Sequence, residues 1–370
     1  MKAKKGLSFI DKLFLWINIF LCTCLLISYL APITNPTKFW PVAFFGLAYP
    51  FLLLGNVILI VYWLFRKSIW IFLSIVVIGI GLNVLNKNIG LRFTSSPTFI
   101  AGSNIIRMMT YNVHNFKRYG SKNDISTKQE ILQIIRDQTP DIIGFQEFYT
   151  KNKGQYDMLD SIKKILNCTN YYFETVRSNA DESIGMALFS KFPITAHGMV
   201  QLSEHGSENQ CIYADIKKGD KTFRVYSVHL QSIRFDPEDY RYLNNVSPQD
   251  GKGKVGSATR LGSKLKTAFL KRSEQVFKIK EHAAACPYPY IISGDFNDTP
   301  TSFAVHEMSK GLKNAFIEKG SGLGRTYNGS FPNYQIDYIM ATPQFDVADY
   351  YIIEKRLSDH YPVRSDLVLK

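Results

Sequence analysis

The chain has 370 residues, with 44 Lys and Arg against 31 Asp and Glu, a formal net charge of +13, and 46% apolar, 14% aromatic and 20% charged residues. This composition excludes a disordered tail, a collagen-like repeat and a disulfide-stapled mini-protein, and five cysteines are too few for a disulfide framework at this length. The charge admits a nucleic-acid or membrane-surface role, and the mean hydropathy of −0.08 averages two opposite halves.

The first hundred residues read as membrane. Three uncharged apolar runs, at about 13–31, 40–65 and 68–86, reach or approach the ~20 residues needed to cross a hydrocarbon core. Trp16, Trp40, Tyr62, Trp63 and Trp70 stand near the run ends, where aromatic rings favour the headgroup layer. Lys2, Lys4, Lys5 and Lys12 precede the first run and Arg66 and Lys67 separate the last two, whereas the first loop carries only Lys38. The positive-inside rule then places the N-terminus in the cytoplasm and everything after the third run outside. A cleaved signal peptide in place of the first run leaves the same final sidedness. The expected location is a bacterial inner membrane, multi-pass, with the outer domain periplasmic or extracellular. The expected division is an anchor at 1–87, a Gly/Ser/Thr/Pro-bearing linker at 88–103 and an outer domain at 104–370. Residues 1–100 hold nine Lys and Arg and one acid, Asp11, so +8 of the charge belongs to the anchor and only +5 to the rest.

The outer domain alternates strands and helices. A β-branched and aromatic run at 105–113 predicts a strand. Capping boxes at Ser126 and Thr127 open a helix that presents Ile131, Leu132, Ile134 and Ile135 on one side and stops at Pro140. Strands are predicted at 141–145, 171–176, 185–190, 210–216 and 222–229, then a helix at 264–284. Strands return at 288–293, 335–341, 347–353 and 363–369. Paired strands without regular crossover helices predict a two-sheet α/β sandwich. Cys168, Cys211 and Cys286 allow one disulfide plus a free thiol or three free thiols; their spacing makes no zinc pattern, and buried inert thiols are the favoured reading.

Polar residues follow the apolar strands. They are Asn112 in TYNV, Glu147 in GFQEF, His229 in SVHLQS, Asp295 and Asn297 in GDFNDTP, Asp337 in QIDYI, and Asp359 and His360 in LSDHYPV. Singly, each has an ordinary explanation as a turn, a cap, a solvated strand end or a satisfied histidine. Together they describe a site, because a sheet fixes the backbone while strand-end side chains project into a crevice. Carboxylates converging without cations repel unless a metal sits among them. Oxygen ligands suit Mg²⁺, with Mn²⁺ or Ca²⁺ as alternatives. Histidines beside such a metal carry protons or clamp a phosphoryl oxygen, which describes metal-assisted attack of water on a phosphate ester.

In order and combination these motifs resemble the endonuclease/exonuclease/phosphatase superfamily, the DNase I-like fold, over about 107–369. The resemblance implies an α/β (α+β) fold: a four-layer sandwich of two packed β-sheets with outer helices, here preceded by three transmembrane helices. It implies that Glu147 is the main metal ligand, with Asn112 beside it and Asp359 nearby. Asp295, helped by Asn297, would orient or deprotonate the attacking water. His360 would contact the scissile phosphate with its tautomer fixed by Asp337, and His229 would supply a proton to the leaving oxygen. Glu174 and Glu182 are the candidate partners of His229, and His114 is expected to face solvent, with contact to substrate as the alternative. IGMALFSKFPI, at 184–194, also resembles the family and is expected to be architecture.

The substrate expected is a phosphodiester, nucleic acid first, with a phospholipid headgroup or an inositol phosphate as alternatives. Arg234, Arg241, Lys252, Lys254 and Arg260 lie in a polar stretch after His229 that could grip any of these. The leading expectation is a membrane-anchored nuclease. The alternatives are a sphingomyelinase-like or inositol-phosphatase-like phosphoesterase, or a non-catalytic phosphate-binding module. No obligate protein partner is evident.

Overall fold

The structure is a computed structural model that describes residues 7–91, 105–117, 125–203, 207–233, 236, 238–239, 251–329 and 332–370, with 251–255 described by backbone alone. Most of the expected linker, residues 92–103, lies outside the described residues, as do Arg234 and Arg241.

The anchor consists of α1 (Phe9–Ser28), α2 (Pro36–Phe39), α3 (Pro41–Phe65), α4 (Ile71–Ile80) and α5 (Leu82–Asn88). Among the described residues, only α1 and α3 are long and apolar enough by themselves to cross a membrane; α4 and α5 pass that test as a pair bent by 74°. The third expected span is therefore broken. The break falls at Gly81, where a Cβ would lie 2.1 Å from the Tyr29 ring, and Tyr29 donates its hydroxyl proton to the Val77 carbonyl at 3.1 Å. Helix α1 begins earlier than expected because Ser8 and Asp11 form a capping box. Asp11 also forms a two-point pair with Arg66 at 2.8 and 2.7 Å, which ties the charged end of α1 to that of α3. Deeper in the bundle Asn18 donates to Ser74 at 2.6 Å, Ser74 to Asn56 at 2.9 Å, and Trp63 to Asn18 at 3.0 Å. These bonds join three helices inside an apolar bundle, where a buried amide or hydroxyl has few other partners.

Among the described residues, two six-stranded sheets form the part of the chain after these helices. The first sheet comprises β2 (Ile105–Asn112), β3 (Ile142–Lys151), β4 (Asn170–Ser178), β5 (Glu182–Ser190), β13 (Phe345–Ile352) and β14 (Val363–Leu369), in the order β13-β14-β2-β3-β5-β4. The second comprises β6 (Ile194–Val200), β7 (Cys211–Lys218), β8 (Lys221–His229), β9 (Tyr290–Asp295), β10 (Lys313–Asn314) and β12 (Asp337–Ala341), in the order β10-β12-β9-β8-β7-β6. At the centre of each sheet lies one parallel pair, β2 with β3 and β8 with β9, among antiparallel neighbours. Alternation along these strands builds three cores. Met108, Ile142 and Ile291 face between the sheets. Met109 and Ile143 face α6 (Ile125–Gln138) and α7 (Met158–Leu166). Ile292 faces α8 (Gly251–Ala284) and α9 (Phe303–Ser309). The expected four layers are present. Helix α8 starts well before the expected 264, and β6, α7 and α9 were not foreseen. In the SKFP turn, Ser190 accepts the Phe192 N–H at 2.9 Å between β5 and β6. All five cysteines are free.

The N-terminal helices and the two-sheet part of the chain meet directly. Tyr334 donates to the Leu47 carbonyl at 3.0 Å, and Asn88 donates to Thr301 at 2.9 Å. Phe44 and Phe269 meet edge-on at 5.3 Å, and Lys266 lies 4.8 Å above the Trp40 ring. A pair of two-residue strands, β1 (Gly90–Leu91) and β11 (Ser321–Gly322), adds a backbone tie.

Between β8 and α8 the chain is pinned by Asp239, which accepts from Arg260 Nε at 2.9 Å and from Lys264 Nζ at 2.6 Å. Burial opposes the charge on Asp239, but Lys264, the Asp236 N–H and Arg260 outweigh it and pull the carboxyl down to about 2. A depressed carboxyl stabilises the fold above its unfolded value, about 3.9, and the contribution fades as pH falls through the folded value. Asp239→Asn is therefore expected to lower the unfolding temperature in detergent at pH 5, with the gap to the unmodified protein closing towards pH 2. A gap independent of pH would contradict the pairing.

Candidate active site

Strand register assembles the site. Asp295 ends β9, with His229 beside it across the parallel β8 pairing and Asp337 beside it across the antiparallel β12 pairing. A neighbouring glycine makes this possible. Gly294 has φ +141°, and a Cβ there would stand 2.0 Å from the Val228 carbonyl oxygen on the adjacent strand. After Asp295, the Asn297 N–H closes back on its carboxylate at 2.8 Å with Asn297 at φ +53°. The Asn297 side chain donates to the Leu230 carbonyl at 3.0 Å and to Asp295 at 3.2 Å.

Glu147 reaches the site through a bulge. Strict alternation from Phe145 would turn it under the outer helices, but the β3–β5 register shifts between Phe145 and Phe148, and Glu147 takes φ +52°. Asn112, at the end of β2, donates to Glu147 at 3.2 Å and to Asp295 at 3.1 Å, while its oxygen accepts the His114 N–H at 3.1 Å. Asn112 thus bridges the two carboxylates with its amide nitrogen.

The imidazoles differ in how firmly they are held. His360 Nδ1 bonds Asp337 at 3.0 Å, and its Nε2 lies 3.6 Å from Asp295. Burial works against its charge, but Asp337 and Asp295 outweigh that and raise the imidazole pKa well above its ordinary value. His229 directs Nε2 towards Asp295 at 3.7 Å and Glu147 at 3.9 Å, while its buried Nδ1 has no hydrogen-bond partner among the described residues. Neither expected partner reaches it: Glu182 accepts from Tyr149 at 2.6 Å, and Glu174 accepts from Tyr172. Asp295 is pushed up by burial, against the pull of His360 and His229.

His114 stands closer to the carboxylates than its expected solvent-facing place implies. Its side chain stays 34% exposed, yet it lies 3.5 Å from Glu147 and 3.7 Å from Asp359. Burial opposes its charge, but the two carboxylates overcome this and raise its pKa. His114, Asn115 and Phe116 all have positive φ, a left-handed turn that composition does not announce. With Glu147 and Asn297 they make five of the eight positive-φ residues other than glycine among those described, so strain gathers here.

Two donor sets could hold a cation. Asp295, Asp337 and His360 offer ligand atoms within 4.8 Å of one another, but the Asp337–His360 hydrogen bond already occupies part of that set. Glu147 and Asp359 form the other set, with one oxygen of each lying 3.5 and 3.7 Å from His114 Nδ1. Oxygen donors that draw a positive charge between them fit a hard divalent ion.

A cavity of about 240 Å³ rises from these groups. Its floor is His114, Glu147, His229, Asp295 and His360, and its walls include Leu47, Leu265, Phe269 and Arg272. Arg272 is fully buried and pairs with Asp298 at 3.0 Å, and burial still raises the Asp298 carboxyl. The second aspartate of GDFNDTP was the available signal for that pair. Tyr327 sets its ring edge-on to His360 at 5.4 Å.

Paired sheets with this convergence at their central strand ends define a DNase I-like hydrolase. The chain belongs to the endonuclease/exonuclease/phosphatase family, whose model matches residues 109–360. A second family model, described as a domain of unknown function (DUF8431), matches residues 11–88. No curated protein sequence matches the chain. Among solved structures, an endonuclease/exonuclease/phosphatase from Beutenbergia cavernae is 19% identical with a TM-score of 0.52, covering 72% of both chains. A family protein from Bacteroides thetaiotaomicron is 22% identical with a TM-score of 0.51, covering 72% of this chain and 98% of its own. One from Bacteroides vulgatus is 20% identical with a TM-score of 0.50, covering 72% and 99%. These likenesses show the fold. The family hydrolyses phosphoester bonds.

Gly294→Ala is expected to cost about 2–3 kcal/mol of stability, read by chemical unfolding in detergent. Unchanged stability would show that β8 and β9 do not need this close approach.

Proposed function

We propose that the chain is a membrane-anchored phosphodiesterase assisted by a divalent metal, with its catalytic face on the outer side of a bacterial inner membrane. The observation that carries this reading is a buried carboxylate, Asp295, set between two imidazoles, one at the end of β8 and one in the segment before β14.

In this reading Glu147 and Asp359 hold the ion, with Asn112 fixing the Glu147 carboxylate. The ion, Mg²⁺ by the chemistry of its oxygen donors, would draw charge from the phosphoryl oxygens. Asp295 accepts a proton from the attacking water, and its raised pKa makes it a better base than an exposed aspartate. Asn297 and Asn112 hold that carboxylate in one orientation. The water oxygen bonds to phosphorus as the ester P–O bond breaks. His360, kept positive by Asp337, donates from Nε2 to a phosphoryl oxygen as charge builds there. His229 donates a proton to the departing oxygen; the proton held by Asp295 then returns to solvent, and His229 takes a proton back from solvent. The products are an alcohol and a phosphomonoester.

A nuclease, the reading favoured by sequence, has the family membership as its support. The basic stretch adds little, because Arg260 pairs with Glu238 and Asp239, and Lys264 with Asp236 and Asp239. A non-catalytic binding module is disfavoured by the complete set of acid, base and carboxylate groups.

Asp295→Asn is expected to lower turnover of bis(p-nitrophenyl) phosphate by about 10²–10⁴-fold with unchanged thermal unfolding. EDTA should abolish the same activity and Mg²⁺ restore it. Undiminished turnover in the variant, or in EDTA, would sink the mechanism. A periplasm-dependent reporter fused after Lys370 should be active; cytoplasmic reporter activity would reverse the orientation.

A further inference from the structure

We propose that the scissile phosphodiester belongs to a membrane lipid, taken from the outer leaflet with its apolar chain against Leu47, Leu265 and Phe269 and its headgroup beneath Arg272 and Thr299. The proposal rests on the phosphodiesterase reading and on α1 and α3 spanning a bilayer.

The first argument is depth. Arg66, paired with Asp11, marks the charged end of α3. From Arg66 to Leu47 the helix rises about 28 Å at 1.5 Å per residue, close to the ~30 Å of a hydrocarbon core. Leu47 therefore stands where acyl chains give way to headgroups. It is also a wall of the cavity whose floor is Asp295 and His360. The anchor thus supplies part of the catalytic pocket as well as tethering it.

The second argument is rigidity. The Tyr334 hydroxyl bonds the Leu47 carbonyl, and a Cβ on Gly46 would come within 2.9 Å of the Thr301 carbonyl oxygen. Phe44 lies on Phe269, one turn from Leu265 on α8. These contacts hold the pocket at the membrane surface. A soluble nucleic acid would have to present its backbone there, and it has no group to place on an aliphatic wall.

Chemistry of the lining gives the third argument. Arg272 uses Nη1 on Asp298 and Nε on the Gln231 carbonyl, but its buried Nη2 has no hydrogen-bond partner among the described residues. The buried Thr299 hydroxyl, on the same cavity, is likewise without one. A buried guanidinium nitrogen left open is costly, and a polar or anionic headgroup satisfies it. The cavity, about 240 Å³, is smaller than the ~300–1,000 Å³ of sites that enclose a whole ligand. It accommodates a headgroup and the first part of a chain while the remaining chain stays in the bilayer.

The test uses the full-length protein in detergent with Mg²⁺ and three substrates: mixed vesicles of phosphatidylethanolamine, phosphatidylglycerol and sphingomyelin; bis(p-nitrophenyl) phosphate; and a single-stranded oligodeoxynucleotide. Hydrolysis of vesicle lipid, with the oligonucleotide left intact, is expected. In Leu265→Glu, and separately in Arg272→Gln, the ratio of lipid to soluble-diester turnover should fall at least about tenfold. Soluble-diester turnover with no lipid product, cleavage of the oligonucleotide in place of lipid, or an unchanged ratio in both variants overturns the lipid assignment alone. Loss of every activity in the unmodified protein overturns the phosphodiesterase reading with it.

Discussion

Asp295 accepts hydrogen bonds from Asn112 and Asn297 and faces His229 and His360, and this ring of partners is what makes a buried carboxylate tolerable. An unpaired charge at such depth would cost several kcal/mol. Each partner comes from a different stretch of chain: β2, the turn after β9, β8 and the segment before β14. The two sheets are therefore held in one relative position by the same contacts that prepare the site. Gly294 permits the approach, Asn112 spans the gap, and Gln146 strengthens it by donating to Ser227 across the sheet interface at 3.0 Å.

The strand-end motifs were legible because a sheet turns sequence order into fixed positions. Asn112, His229, Asp295 and Asp337 end or begin regular strands, and the structure brings them together with Glu147, Asn297, Asp359 and His360. What stayed hidden depends on backbone twists that residue type does not encode. Glu147 would lie on the wrong face without the bulge. His114 follows Asn112 in a left-handed turn, where no glycine flags the change of direction. Arg272 meets Asp298 across 26 positions of sequence, within a helix whose first half reads as polar loop. Leu47 was one apolar residue among many, and only its place against Tyr334 distinguishes it.

The anchor shows the same division. Uncharged runs announced apolar helices, but the bend at Gly81 depends on the Tyr29 ring from another helix. Net charge pointed first to nucleic acid, yet most of it belongs to the first hundred residues, and Arg260 and Lys264 are engaged by acids.

Helix α4 has ten residues, about 15 Å of helix, half of what a bilayer requires. Its Ser74 bonds Asn18 of α1 and Asn56 of α3. Ser74 therefore closes α4 on the pair of α1 and α3 through side-chain bonds as well as apolar contact. Because the chain continues from α4 through α5 and β1 into the first sheet, the Asn18–Ser74–Asn56 chain also sets the point from which it leaves the helices.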